Sequence, residues 1–201
     1  MRTRSGESVS LGSLLDEAVA QSRRVIEEKL ADESLRIPAD EIDHATEVIG
    51  IGAVKYNDLM KNRTTDYRFD LETMVSFSGN AGPYLHYQYA RTRSIFRKDE
   101  REWPAVWDSA IDVAEPAELA LAKTLLRFGE VVWKAGETSL PHLLCDHMYS
   151  VARALSKFYT DCPVLKSEGA TRSSRLGLVW LAGRQLEVGL DLLGIDVLEQ
   201  M

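Results

Sequence analysis

Ser78-Gly79-Asn80-Ala81-Gly82-Pro83, followed by Tyr84-Leu85-His86-Tyr87-Gln88-Tyr89-Ala90-Arg91, is where the chain changes character. Glycine, asparagine and proline crowded into six residues punctuate the backbone. A domain boundary is expected there, dividing residues 1–80 from residues 81–201. The spacing beyond it predicts a helix from Tyr84 to about Lys98. At about 100° per residue, Tyr84, Tyr87, Arg91 and Lys98 fall within roughly 60° of one another on the wheel. Leu85, Tyr89 and Phe96 lie about a third of a turn away and supply a buried face. One stripe is therefore apolar and the other aromatic and cationic. Arg91, Arg93, Arg97, Lys98 and Arg101 against Asp99 and Glu100 leave a local excess of three positive charges. Aromatic faces beside guanidinium groups suit unstacked bases flanked by phosphates, as in single-stranded RNA loops. The same spacing also fits tyrosines packed on a neighbouring helix with the arginines merely solvated.

Outward from this helix, apolar positions recur with helical period. Leu11, Leu14, Leu15 and Ala18, then Val25, Ile26 and Leu30, keep one upstream stripe. Pro38 ahead of Asp40 and Glu41 reads as a helix start, with acids at the positive end of the dipole. Ile42, Ala45, Val48, Ile49, Ala53 and Tyr56 carry that helix toward Met60. Between Lys61 and Phe77 the pattern breaks, and Asn62-Arg63-Thr64-Thr65-Asp66 predicts a turn-rich loop with room for one short helix. Downstream, Trp103-Pro104 interrupts, and Glu115-Pro116 opens a single helix carrying Leu121, Leu125, Phe128 and Val132 to about Gly136. Ser139 before Pro141 is expected to cap the next, with Leu144, Met148, Val151, Leu155 and Phe158 inward. The last helix carries Leu176, Val179, Trp180, Leu186, Leu190 and Leu193 and stops at Gly194. No strand–helix–strand alternation is present. The expected fold is all-α, with the C-terminal helices in a bundle.

Composition narrows the function classes. The chain has 201 residues, 45% of them apolar and 27% charged, an ordinary globular balance. Its 24 Lys and Arg against 31 Asp and Glu give a net charge of −7, so a nucleic-acid site has to be a local patch on an acidic body. Cys145 and Cys162 are too few for a disulfide framework or a four-thiolate zinc site and are expected to be reduced and partly buried, in a cytoplasmic protein. His44, His86, His142 and His147 lack any metal-ligand spacing and are expected at or near the surface. No G-x-x-x-x-G-K-[ST], G-x-G-x-x-G or G-x-S-x-G loop occurs. The N-terminus has no apolar core behind its positive charges, and no run approaches the ~18 apolar residues a membrane span requires.

Three blocks carry a resemblance to a known family. They are Gly52-Ala53-Val54-Lys55-Tyr56-Asn57-Asp58-Leu59, then Lys61-Asn62-Arg63-Thr64-Thr65-Asp66-Tyr67, then Gly79-Asn80-Ala81-Gly82-Pro83-Tyr84 with Tyr87 and Arg91. In this order and spacing the chain resembles the arginyl-tRNA synthetases. Ser174-Arg175-Leu176, Leu193-Gly194-Ile195-Asp196 and the terminal Met201 fit the same pattern. The resemblance covers essentially the whole chain but corresponds to the C-terminal part of that enzyme.

By resemblance, Arg2-Thr3-Arg4-Ser5-Gly6 is similar to a degenerate class I signature loop, which makes Arg2, Thr3 and Arg4 the remnant of a loop that closes over ATP phosphates. Residues 1–80 resemble the helical end of the class I catalytic domain, and residues 81–201 the DALR-type anticodon-binding domain. Tyr84 and Tyr87 match tyrosines implicated in anticodon-loop contacts. Tyr159 and Met201 match two further positions that receive anticodon-loop bases, and Arg91 and Lys98 share the stripe of the first two. The resemblance implies arginine tRNA as partner, together with a separate N-terminal catalytic half, and neither DNA nor a membrane. ATP and arginine, with magnesium, belong to the complete enzyme. No cofactor, metal or catalytic residue is implied for this chain in isolation.

His86 stands where the family usually has glutamine, and Pro163 follows Tyr159 where an aromatic occurs; both bear on base preference. The alternative is a freestanding adaptor that presents tRNA to another enzyme, and a third reading is a helical module without RNA binding. If residues 11–80 pack on the missing half, their outer face is expected to be an exposed apolar patch that promotes self-association.

Overall fold

The computed structural model describes residues 10–66 and 70–201, and the secondary structure over them is helix and connecting loop. The helices are α1 (Leu11–Ala31), α2 (Ile42–Leu59), α3 (Leu71–Met74), α4 (Gly82–Lys98), α5 (Pro116–Leu125), α6 (Phe128–Thr138), α7 (His142–Asp161) and α8 (Gly169–Leu192). This is the all-α architecture that the periodicity predicts.

Ser10 caps α1, its hydroxyl accepting the Ser13 N–H at 3.0 Å. The buried positions of α1 are Ala18, Ser22 and Ile26. The expected stripe fails at its start: Leu11 is exposed and Leu14 and Leu15 are only half-buried. Farther along, α2 crosses so closely that a Cβ on Gly50 would lie 2.8 Å from the Val19 Cα. Pro38 leads through one short turn into α2, as the proline and its following acids predict. The Asn62 carboxamide oxygen accepts the Thr64 N–H at 3.2 Å, closing the expected turn. The left-handed backbone at Gly79 (φ 73°) turns the chain into α4, where Pro83 occupies the first helical turn.

Two corrections concern the bundle. The helix expected from Pro116 to Gly136 is two helices, broken at Leu126 and Arg127. The break frees the Leu125 carbonyl, which accepts the Gln185 side-chain N–H of α8 at 2.8 Å. It also swings Phe128, Val131, Val132 and Ala135 onto the main core. Ser139 does not cap α7. It is the left-handed residue that terminates α6 (φ 51°), while Pro141 precedes α7 without a side-chain cap.

The main core joins α4, α5, α7 and α8 and admits Tyr56 from α2. The Tyr56 hydroxyl lies 2.7 Å from the Asn80 carboxamide oxygen and 3.1 Å from the Cys145 carbonyl. A strap of residues 99–115 lies across α8. Trp180 donates to the Pro104 carbonyl (2.8 Å), and the Ser174 hydroxyl both accepts the Asp112 N–H and donates to its carbonyl. After Gly194 (φ 68°) the C-terminal tail returns to the first two helices and inserts Leu198 beside Ile26, Leu35, Ile37 and Ile49.

Several side-chain expectations change with this packing. Cys145 and Cys162 are free thiols but fully buried, not partly so, and burial pushes the Cys145 thiol up to about 12. His86 and His147 are likewise buried. On α1–α3, Leu11 is the one large apolar side chain among the described residues that is exposed rather than buried or half-buried. Leu119 on α5, Leu126 in the break and Trp133 on α6 are also exposed. Among the described residues no helix is long and apolar enough to cross a membrane.

Candidate nucleic-acid interface

The return of the C-terminal tail leaves a groove of about 430 Å³ between α4, the end of α7, the tail and the turn after α1. Tyr87, Arg91 and Lys98 enter from α4, Tyr159 from α7 and Met201 from the tail. Five of the six candidate tRNA-binding residues thus meet in one place, although they are drawn from three segments spread over 115 residues of chain. The helical stripe explains the first three. Tyr159 arrives because α7 packs beside α4, and Met201 because Leu198 is buried in the α1–α2 cluster three residues earlier.

An ion pair and a hydrogen bond fix this tail. The Arg93 guanidinium donates to the Glu199 carboxylate at 2.7 Å, and Arg97 donates to the Glu199 carbonyl at 3.0 Å. Burial, with Arg93 close by, holds the Arg97 guanidinium somewhat below its ordinary range. Arg91 lies face-on over the Tyr159 ring, 3.9 Å from the centroid. Arg91, Lys98 and Arg36 pair with no carboxylate among the described residues, so their charge remains available to an incoming anion. Elsewhere most arginines are committed: Arg172 and Arg101 to Asp99, Arg175 to Glu118, Arg184 to Glu187.

Tyr84 is not in the groove. It lies one turn earlier on α4 and meets Tyr149 of α7 edge-to-face, with ring centroids 6.0 Å apart. Both rings are half-buried, and burial pushes the Tyr84 phenol up. Arg2, Thr3 and Arg4 lie outside the described residues. His86 points away from the groove: its ring is 0% exposed, and a Cβ on Gly52 of α2 would come within 3.1 Å of it. It therefore reaches no bound base directly, whatever the family's usual residue there. Burial pushes His86 down to about 4, and neither ring nitrogen has a hydrogen-bond partner. Pro163 is also outside the groove, its carbonyl accepting Arg175 at 3.1 Å. Sequence reasoning counted Arg97 in the cationic stretch without placing it at the site, and it missed Arg36 and Gln200 in the lining, since nothing in the pattern announces that the turn after α1 meets the tail. No group of three His, Cys, Asp or Glu side chains is arranged to hold a metal among the described residues.

Such a groove, with tyrosine faces, a thioether and unpaired guanidinium groups, can seat an extruded base and its phosphate. The DALR anticodon-binding domain model matches residues 85–201, and the catalytic-domain model of the class I arginyl-tRNA synthetases matches residues 1–71. The chain belongs to the arginyl-tRNA synthetase family. It is 45% identical over all 201 residues to the arginine–tRNA ligase of Klebsiella pneumoniae, of which it covers 34%. With the corresponding ligase of Salmonella arizonae it shares 44% over the same span. Among solved structures, the arginyl-tRNA synthetase of Thermus thermophilus superposes with a TM-score of 0.84 at 33% identity, covering 96% of this chain and 32% of that one. The Plasmodium falciparum enzyme superposes with 0.83 at 27% identity, over 96% and 34% of the two chains. The chain thus spans about a third of the length of the synthetases it matches, and α4–α8 with the returning tail form the family's anticodon-binding region.

Proposed function

We propose that this chain binds the anticodon arm of arginine tRNA, with one unstacked base seated in the groove between Tyr87, Arg91, Tyr159 and Met201. The observation that carries this reading is the convergence of those side chains from α4, α7 and the tail. Stacking on a tyrosine face supplies affinity without excluding any base, because every base has a π-face. Discrimination then falls to the rim, where Arg36, Lys98 and the carboxylate of Glu33 stand. Three unpaired cations on single-stranded backbone give an expected log–log salt slope of about −2.

In the complete enzyme the reaction is ATP-dependent activation of arginine followed by its transfer to the tRNA, with magnesium, in the cytoplasm. Arg2, Thr3 and Arg4 belong to the loop that closes over the ATP phosphates there. The catalytic groups lie in a partner half, and this chain alone does not aminoacylate. We place the division between catalytic end and anticodon domain after residue 80, between the spans of the two family matches.

Replacing Tyr87 by alanine tests the reading. Stacking is worth ~1–3 kcal/mol per base, so tRNA affinity is expected to fall about fivefold or more. Unchanged affinity in a variant with the parent's helical content and melting temperature overturns it. Charging restored by adding a separately made catalytic half identifies a split enzyme, whereas tRNA binding without any charging favours the adaptor.

A further inference from the structure

The groove accounts for Tyr87, Arg91, Lys98, Tyr159 and Met201 but leaves Tyr84 outside, against residues that no reading of the sequence singles out. Tyr84 meets Tyr149 edge-to-face at 6.0 Å, and the Arg153 guanidinium, one turn farther along α7, lies over the Tyr149 ring at 5.7 Å from its centroid. Arg153 is exposed and pairs with no carboxylate among the described residues. Its charge also acts on Tyr84, opposing the effect of burial on that phenol. The α4–α7 seam therefore carries two arginine–tyrosine pairs: Arg91 of α4 over Tyr159 of α7 at the groove, and Arg153 over Tyr149, both on α7, beside Tyr84. Ten residues of α7 separate the two tyrosines, about 15 Å along the helix axis. That is farther than a single base reaches.

Two observations separate this cluster from ordinary packing. Its rings are only half-buried where true core aromatics of the same helices, Tyr89 and Phe158, are fully buried. Its guanidinium is unneutralised on a body of net charge −7, where most arginines are tied to a carboxylate or carbonyl. We propose that Tyr149 and Arg153, with Tyr84, form a second platform of the RNA interface, on which a second unstacked base of the same loop stacks while Arg153 engages a phosphate beside it. The platform rests on the anticodon-arm reading above and extends it from one nucleotide site to two, along the seam. It also gives Tyr84 a role separate from that of Tyr87.

The test is a binding titration of the 201-residue chain with arginine-accepting tRNA transcript over a series of salt concentrations, for the parent and for Arg153→Ala, Tyr149→Leu, Tyr149→Phe and Arg91→Ala. Arg153 is exposed, so its replacement leaves folding intact, and thermal unfolding of each variant verifies this. Arg153→Ala is expected to weaken binding about five- to tenfold at low salt and to flatten the salt slope by about 0.7, one phosphate contact on a single strand. Tyr149→Leu is expected to weaken binding by a similar factor with no change of slope, and Tyr149→Phe to bind as the parent does. Parent affinity and slope in Arg153→Ala, alongside weakened binding in Arg91→Ala, overturn the platform and leave the groove standing. No loss in either arginine variant, or no binding by the parent, overturns the anticodon-arm reading and the platform with it.

Discussion

Glu118→Gln removes one charge from the best-enclosed ion pair in the bundle, and its consequences follow from three hydrogen bonds. Glu118 is 2% exposed on α5. One of its carboxylate oxygens accepts the Ala114 and Glu115 N–H groups at 2.9 and 3.0 Å, completing the capping box of α5. The other accepts the Arg175 Nε–H of α8 at 2.7 Å. Arg175 in turn donates to the Pro163 carbonyl at 3.1 Å and the Ser167 hydroxyl at 2.7 Å, which ties down the connection between α7 and α8 a few residues beyond Tyr159. A glutamine can keep its oxygen toward the two backbone donors, but its amide group then faces the guanidinium donor to donor. The buried guanidinium loses its counter-charge.

Breaking a buried pair from one side costs about 3–5 kcal/mol, whereas replacing both partners with apolar groups of similar volume costs little. For a chain of this size about 2–4 °C of melting temperature accompanies each kcal/mol. Glu118→Gln is therefore expected to melt roughly 6–20 °C below the parent at neutral pH, followed by far-ultraviolet circular dichroism. The double variant Glu118→Gln with Arg175→Met keeps the acceptor for the two backbone donors and removes the unpaired guanidinium, so it is expected to recover most of that loss. Burial alone would push the Glu118 carboxyl up, but the Glu115 N–H, Arg175 and the Ala114 N–H together hold it below its ordinary value. With the folded value depressed, its stabilisation is complete above the ordinary value of 4.5 and is lost as pH falls through the lower folded one. The difference between parent and Glu118→Gln should shrink in that acid range. A single variant within about 0.5 kcal/mol of the parent, or a double variant as unstable as the sum of the singles, refutes the reasoning.

Two further perturbations probe the framework around the groove. A Cβ on Gly183 of α8 would lie 2.5 Å from both the Thr92 hydroxyl oxygen and the Trp103 ring, so Gly183→Ala is expected to cost about 1–3 kcal/mol and to expose Trp103 to solvent; an unshifted melting temperature and an unchanged tryptophan emission maximum would show that the strap yields freely. His86 is buried and pushed down from 6.5 to about 4, so the unfolded chain takes up its proton first as pH falls. Stability present above pH 6.5 is then lost toward pH 4, at no more than ~1.4 kcal/mol per pH unit from this group. His86→Met is expected to flatten that slope in urea unfolding between these pH values, and a variant as acid-sensitive as the parent contradicts it.

The legible parts of this structure are those decided within one helix. Tyr84, Tyr87, Arg91 and Lys98 on one side of α4 and Leu85, Tyr89 and Phe96 on the other follow from the helical period, and the latter three are buried as that period requires. The α2 start at Pro38 and the stop at Gly194 are written in local backbone chemistry. What escaped was tertiary. The break at Leu126 keeps the apolar period of one helix intact and is explained by Gln185, 60 residues away, accepting the role of partner to the freed carbonyl. Arg36 joins the groove through the packing of Leu198, and His86 turns inward because Gly52 leaves it room. Tyr159 and Met201 came from the family resemblance rather than from spacing, since nothing local in the sequence brings them to α4.

The central claim is that an acidic helical chain binds the anticodon arm of arginine tRNA through one cationic, aromatic groove. Its most direct test is a titration of the chain with arginine tRNA and with the same tRNA carrying a swapped anticodon, at several salt concentrations. The account predicts tighter binding to the arginine anticodon, weakening with salt at a log–log slope of about −2 or steeper. Equal and weak binding to both tRNAs would contradict it.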